Sequence, residues 1–140
     1  MFNKILKRLG KHFQVRRYAY EFPYYIAREY SAKEKYSVSE IESIITKYNF
    51  SGEFNYYGHA LFITEDEYNN LFIHADSVES YDVCRRKVSK ILKINKRSFG
   101  FHELITRSRY PGAITITKDD EGNFVYSIAD FLDSSAMGGH

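Results

Sequence analysis

Apolar residues near the start of the chain recur with a helical period. Phe2, Ile5, Leu6, Leu9 and Phe13 share one side of a helix stepped at about 100° per residue, with Lys4, Lys7, Arg8 and Lys11 opposite. The pattern fails after Phe13, where Arg16 and Arg17 reach the edges of the stripe. A break is therefore expected near residues 14–18 or around Pro23, with a second helix over Tyr24 to Tyr30. Ser37-Val38-Ser39-Glu40 reads as a capping box, because the Ser37 hydroxyl and the Glu40 carboxylate can each accept the other residue's amide. Val38, Ile41, Ile44, Ile45 and Tyr48 then keep a helical spacing, and Asn49 with Ser51-Gly52 marks its stop.

A short helix over Phe54 to Ile63 follows. Thr64-Glu65-Asp66-Glu67 opens another, carrying Tyr68, Leu71 and Phe72. Tyr81, Cys84, Val88, Ile91 and Leu92 form the apolar stripe of a long helix. Arg86, Lys90, Lys93 and Arg97 line its other face beside Lys87, and Gly100 is the expected terminator. After the Pro111-Gly112 turn, Ala113 to Thr117 and Phe124 to Ile128 are β-branched and alternating, with 118–123 as the hairpin loop. Such a hairpin is marginal alone and must pack on the helices. The expected fold is one compact α+β domain over residues 1–133. It has five to seven mostly short helices and a C-terminal antiparallel β-hairpin, followed by a small polar tail, 134–140, expected to be flexible.

Composition makes this reading firmer. At 140 residues, with 44% apolar and 27% charged residues, the chain matches an ordinary globular domain with a real core. Its bias is aromatic: 13 Tyr and 11 Phe but no Trp. Phe2, Phe13, Phe62 and Phe72 fall where buried stripes are expected. The tyrosines between residues 18 and 57 exceed what those stripes require. A ring that buries while its hydroxyl stays wet suits an interface, so Tyr18, Tyr20, Tyr24, Tyr25, Tyr30, Tyr56 and Tyr57 are the candidate interaction surface. One cysteine excludes an internal disulfide framework. No apolar run approaches a membrane span, and lysines interrupt any signal-peptide core, so the expected setting is the cytoplasm.

The formal net charge of +2 conceals strong segregation. Residues 1–20 carry bases and no acid, 36–84 carry many acids and Lys47 alone, and 85–109 are basic apart from Glu103. Either the basic helices dock beside the acidic segment, or they form a surface for phosphates. The second alternative is nucleic-acid binding through Arg86, Lys90, Lys93 and Arg97, with the hairpin as an adjacent wing. The first helix could also lie on an anionic membrane surface.

Catalytic signals are weak. The five histidines share no ligand spacing, and Asp119 to Asn123 reads as a turn rather than a calcium loop, so no metal or cofactor is expected. Cys84 lies on an apolar stripe, where a thiol is a packing residue. An active site would need a pocket gathering His59, His74 or His102 with carboxylates.

Tyr36-Ser37-Val38-Ser39 through Ile41, Tyr57-Gly58-His59-Ala60-Leu61-Phe62, Tyr68 and Tyr81-x-x-x-Arg85 together resemble a family of small bacterial proteins of unknown function. The resemblance spans about residues 36–92. It implies a bacterial origin and a helical core, and carries over no catalytic residue. The expected function is a non-catalytic protein-interaction or small binding domain, with an unknown protein or a second copy as partner.

Overall fold

A computed structural model of the chain describes residues 2–96, 98–109 and 113–129, with side chains from Ile5 onward. The Phe2 and Lys4 side chains, Arg97, the Pro111-Gly112 turn and the 134–140 tail lie outside the described residues. The fold is mainly helical α+β. Its helices are α1 (Phe2–Tyr20), α2 (Phe22–Tyr30), α3 (Val38–Lys47), α4 (Asn55–Phe62), α5 (Glu65–Leu71), α6 (Tyr81–Leu92) and α7 (Phe101–Thr106). A 3-10 turn at Gly52–Phe54 leads into α4, and strands β1 (Ile114–Lys118) and β2 (Phe124–Ile128) close the described chain. No described helix is long and apolar enough to cross a membrane.

Local signals placed many of these elements. Both capping boxes form: Ser37 Oγ accepts from the Glu40 amide at 3.0 Å, and Thr64 Oγ1 accepts from the Glu67 amide at 3.1 Å. Asn49 takes a positive φ of 57° just past α3. The strands pair antiparallel with Ile114 opposite Ile128 and Ile116 opposite Tyr126. That register turns Ile114, Tyr126 and Ile128 onto the core. The hairpin docks on α2 and α7. The Tyr24 hydroxyl donates to the Ala129 carbonyl at 3.0 Å, and the Tyr126 ring meets Phe101 edge-on at 5.0 Å.

One helix boundary falls at the second of its two expected places, and another differs from expectation. α1 runs unbroken through residues 14–18 and yields to α2 at Glu21, just before Pro23. The apolar stripe does not end at Phe13; it changes face. Val15, Tyr18, Ala19 and Phe22 are buried, whereas Ile5, Leu6, Leu9 and Phe13 point to solvent. Phe13 is thus no core residue, and Phe72 is only partly buried. α6 stops at Leu92 because Lys93 turns left-handed at φ 58°. Gly100 does not terminate it; it precedes α7 as its N-cap, where its amide donates to Glu103 Oε1 at 2.7 Å.

The tyrosines are the larger correction. Tyr18, Tyr24 and Tyr57 are fully buried, Tyr25 and Tyr56 nearly so, and Tyr20 and Tyr30 half-buried. Five of the seven tyrosines of the expected surface are therefore core. Several of these rings fill the interior while the hydroxyl bonds a carbonyl outside their own helix. Tyr18 donates to the Ser51 carbonyl at 2.7 Å, Tyr36 to Ser31 at 2.6 Å and Tyr20 to Ile91 at 3.1 Å. Burial raises the Tyr18 and Tyr36 phenols far above their ordinary value, so they remain protonated donors.

Gly58 in α4 marks the tightest approach in this aromatic core. A Cβ there would lie 3.1 Å from Tyr18 Cε1 and 3.3 Å from Phe22 Cζ. Alanine gains about 1 kcal/mol of helix propensity over glycine, but forcing atoms into a packed core costs about 1–3 kcal/mol. The Tyr18 ring is pinned by its hydroxyl and cannot swing aside. Gly58→Ala is expected to destabilise the protein by about 1 kcal/mol in urea unfolding; a stabilised variant would show that the rings yield.

Candidate cationic groove

α1 and α6, about 60 residues apart in the sequence, pack side by side and enclose a groove of about 620 Å³. Val15, Ile91 and Tyr57 contribute to its lining. Six basic side chains surround them: Arg8, Lys11 and Arg16 from α1, Lys87 and Lys90 from α6, and Lys93 at its C-cap. His12 stands exposed at the rim.

Among the described residues, one carboxylate, that of Glu79, pairs with the groove's cations. Glu79 is the residue before the α6 N-cap Ser80, whose hydroxyl accepts from the Val83 amide. The Glu79 Oε1 atom takes Lys11 Nζ and, at 2.7 Å, Lys87 Nζ, while Oε2 accepts the Tyr57 hydroxyl. Its backbone carbonyl accepts from the Tyr68 hydroxyl. Burial opposes the charge on Glu79, but the bonds from Lys11, Lys87 and Tyr57 outweigh it and bring the pKa down to about 2. One acid thus fastens α1 to α6. Among the described residues, no carboxylate lies within 4.0 Å of Arg8, Arg16, Lys90 or Lys93; Arg16 instead sits over the Tyr20 ring at 5.1 Å. The groove can hold a ligand bearing several negative charges spaced along it.

The structure divides the basic stripe expected on α6. Lys90 and Lys93 line the groove. Arg86 turns to another flank, where it pairs with Asp82 at 3.0 Å. The hairpin supplies no groove-lining residue, because it packs on α2 and α7. Sequence reading missed the α1 contribution of Arg8, Lys11 and Arg16. The available signal was charge segregation: the two acid-poor segments are the two walls.

Cys84 and His59 are committed to packing. Cys84 is fully buried, and burial pushes its thiol up to about 12. Arg85 does not activate it. Its guanidinium instead donates to the Ala60 and Leu61 carbonyls at 2.9 and 3.3 Å. His59 is buried with Nε2 2.7 Å from Glu42 Oε1; burial lowers its pKa despite that carboxylate, so a neutral ring donates Nε2–H. His74 is exposed on the segment after α5. A smaller cleft of about 330 Å³ brings His102 near Glu34. Glu34 caps α7 through the Phe101 amide at 3.0 Å, and His102 stacks on Phe124 at 4.2 Å with Nδ1 2.8 Å from the Tyr126 hydroxyl. Among the described residues, no group of three or more His, Cys, Asp or Glu is placed to hold a metal ion.

Fold and site define a small helical α+β domain with a basic groove between its first and sixth helices. The chain belongs to a family of unknown function, DUF6559, whose model matches residues 6–132. No curated protein and no solved structure matches it.

Proposed function

We propose that the protein is a non-catalytic binding domain of the cytoplasm whose groove between α1 and α6 takes a phosphate-bearing polyanion. The observation that carries this reading is the convergence of six basic side chains on a groove where, among the described residues, Glu79 is the one carboxylate paired with them. Four of the six, Arg8, Arg16, Lys90 and Lys93, remain available to a ligand. A protein partner held on tyrosines is disfavoured, because five of the seven rings are buried in the core. The buried, protonated Cys84 is compatible with a reducing compartment.

A fluorescent single-stranded oligonucleotide serves as a string of phosphates for the test, with anisotropy as the readout. Four phosphate contacts predict a log–log salt slope of about −3, which is about a 50-fold loss of affinity between about 50 and 200 mM salt. Lys90→Glu with Lys93→Glu is expected to weaken binding at low salt by at least about 10-fold and to reduce that slope by about half. Arg86→Glu, on the other flank, leaves affinity within about twofold. No salt-sensitive binding by the unaltered protein would sink the reading.

A further inference from the structure

The outer side of α1 carries a second feature. Ile5, Leu6, Leu9 and Phe13 are 51–61% exposed and form one apolar strip on the side of the helix turned away from the core. Over these nine positions the strip runs about 12 Å along the axis. Arg8, His12 and Arg16 of the groove border it along one side. No acid occurs anywhere in residues 1–20.

We infer that α1 lies flat on an anionic lipid bilayer, with Ile5, Leu6, Leu9 and Phe13 inserted among the acyl chains and the groove cations at headgroup level. This rests on the polyanion reading of the groove and names the phosphates as lipid headgroups. Charge complementarity selects the occupant. A second copy docked strip to strip would bring two acid-free basic helices together, with nothing to neutralise them. An anionic surface supplies the opposite charge along the helix flank while its interior takes the strip. The nearby acids do not oppose this approach. Glu79 is occupied by Lys11 and Lys87, and Glu53 lies in the cleft on the far side of α1 with Lys7 and Gln14.

The test is co-sedimentation of the full chain with vesicles of mixed phosphatidylglycerol and phosphatidylcholine, or of phosphatidylcholine alone. The oligonucleotide assay and sedimentation velocity run in parallel. Binding to the anionic vesicles only is expected. Leu9→Gln with Phe13→Gln keeps the charge and removes two exposed side chains, so the fold should persist by circular dichroism. That variant is expected to lose vesicle affinity on the order of 100-fold while binding the oligonucleotide unchanged. Lys90→Glu with Lys93→Glu should weaken both. Oligonucleotide binding without vesicle binding overturns the lipid inference and leaves a nucleic acid as the ligand. Equal binding to both vesicle types, or vesicle binding indifferent to Leu9 and Phe13, overturns it too. A dimer that the glutamine variant dissociates, without vesicle binding, would assign the strip to a second copy. Binding to neither polyanion fails the groove reading itself.

Discussion

Replacing Arg85 with alanine is expected to destabilise the fold by about 3 kcal/mol or more, an effect at the upper end of what one side chain can produce. The reason is the C-terminal end of α4. A helix leaves its last four carbonyls without partners in its own ladder. In α4 these belong to His59, Ala60, Leu61 and Phe62, four buried residues. The Ile63 amide serves His59 at 3.0 Å and the Tyr36 amide serves Phe62 at 3.1 Å. Arg85 serves the middle two and also donates to the Phe99 carbonyl, with its guanidinium 4.1 Å from the Phe99 ring centre. Alanine leaves three acceptors in buried surroundings at about 1–3 kcal/mol each, part of which solvent entry recovers. Lysine retains the charge but not the planar fork, and is expected to restore no more than about half of the loss. Urea midpoints followed by circular dichroism measure both variants. A loss below about 1 kcal/mol for alanine would mean that other donors reach these carbonyls.

Glu79→Gln should move stability and binding in opposite directions. Glutamine keeps an acceptor for Tyr57 but surrenders the ion pairs with Lys11 and Lys87, so unfolding should become easier by about 1–2 kcal/mol. The unaltered protein has a matching acid sensitivity. The carboxyl titrates at about 2 in the fold against an ordinary value of 4.5. Its contribution is therefore complete above about pH 4.5 and is lost as pH falls from there toward 2, because the unfolded chain takes up the proton first. The glutamine variant should lack that component of the acid unfolding curve. Meanwhile the released lysines join the groove, and oligonucleotide affinity at low salt should rise about threefold. Unchanged affinity would show that Lys11 and Lys87 do not face the ligand.

Much of the architecture was legible because its signals are local. The two capping boxes need only four consecutive residues each, and the hairpin announces itself through alternation around a polar loop containing Gly122. The misread elements depend on information that spacing does not contain. Amphipathic periodicity establishes that Ile5, Leu6, Leu9 and Phe13 share a side of α1, but not whether that side turns inward. A tyrosine count cannot separate an interface from a core in which buried rings send their hydroxyls to polar partners, as Tyr24 does at the Ala129 carbonyl. The end of α6 carried no glycine signal, because a lysine adopts the left-handed conformation there. The groove was half legible. Helical spacing alone brings out Lys90 and Lys93, but their alignment with Arg8 and Arg16 is tertiary, and Arg86 left the stripe for Asp82.

The reversed polarity of α1 also sets how long its amide hydrogens survive in deuterated water. From Ile5 to Gly10 every residue is exposed, and the first turn offers no acid to the positive end of the helix dipole. Only the backbone ladder holds that half, so its amides exchange by fraying at almost no free-energy cost. Those of Tyr18 and Ala19, locked in the core, wait for far larger openings. α1 is therefore one helix with two lifetimes. Whatever covers its outer strip will be recorded first as slowed exchange between residues 5 and 13.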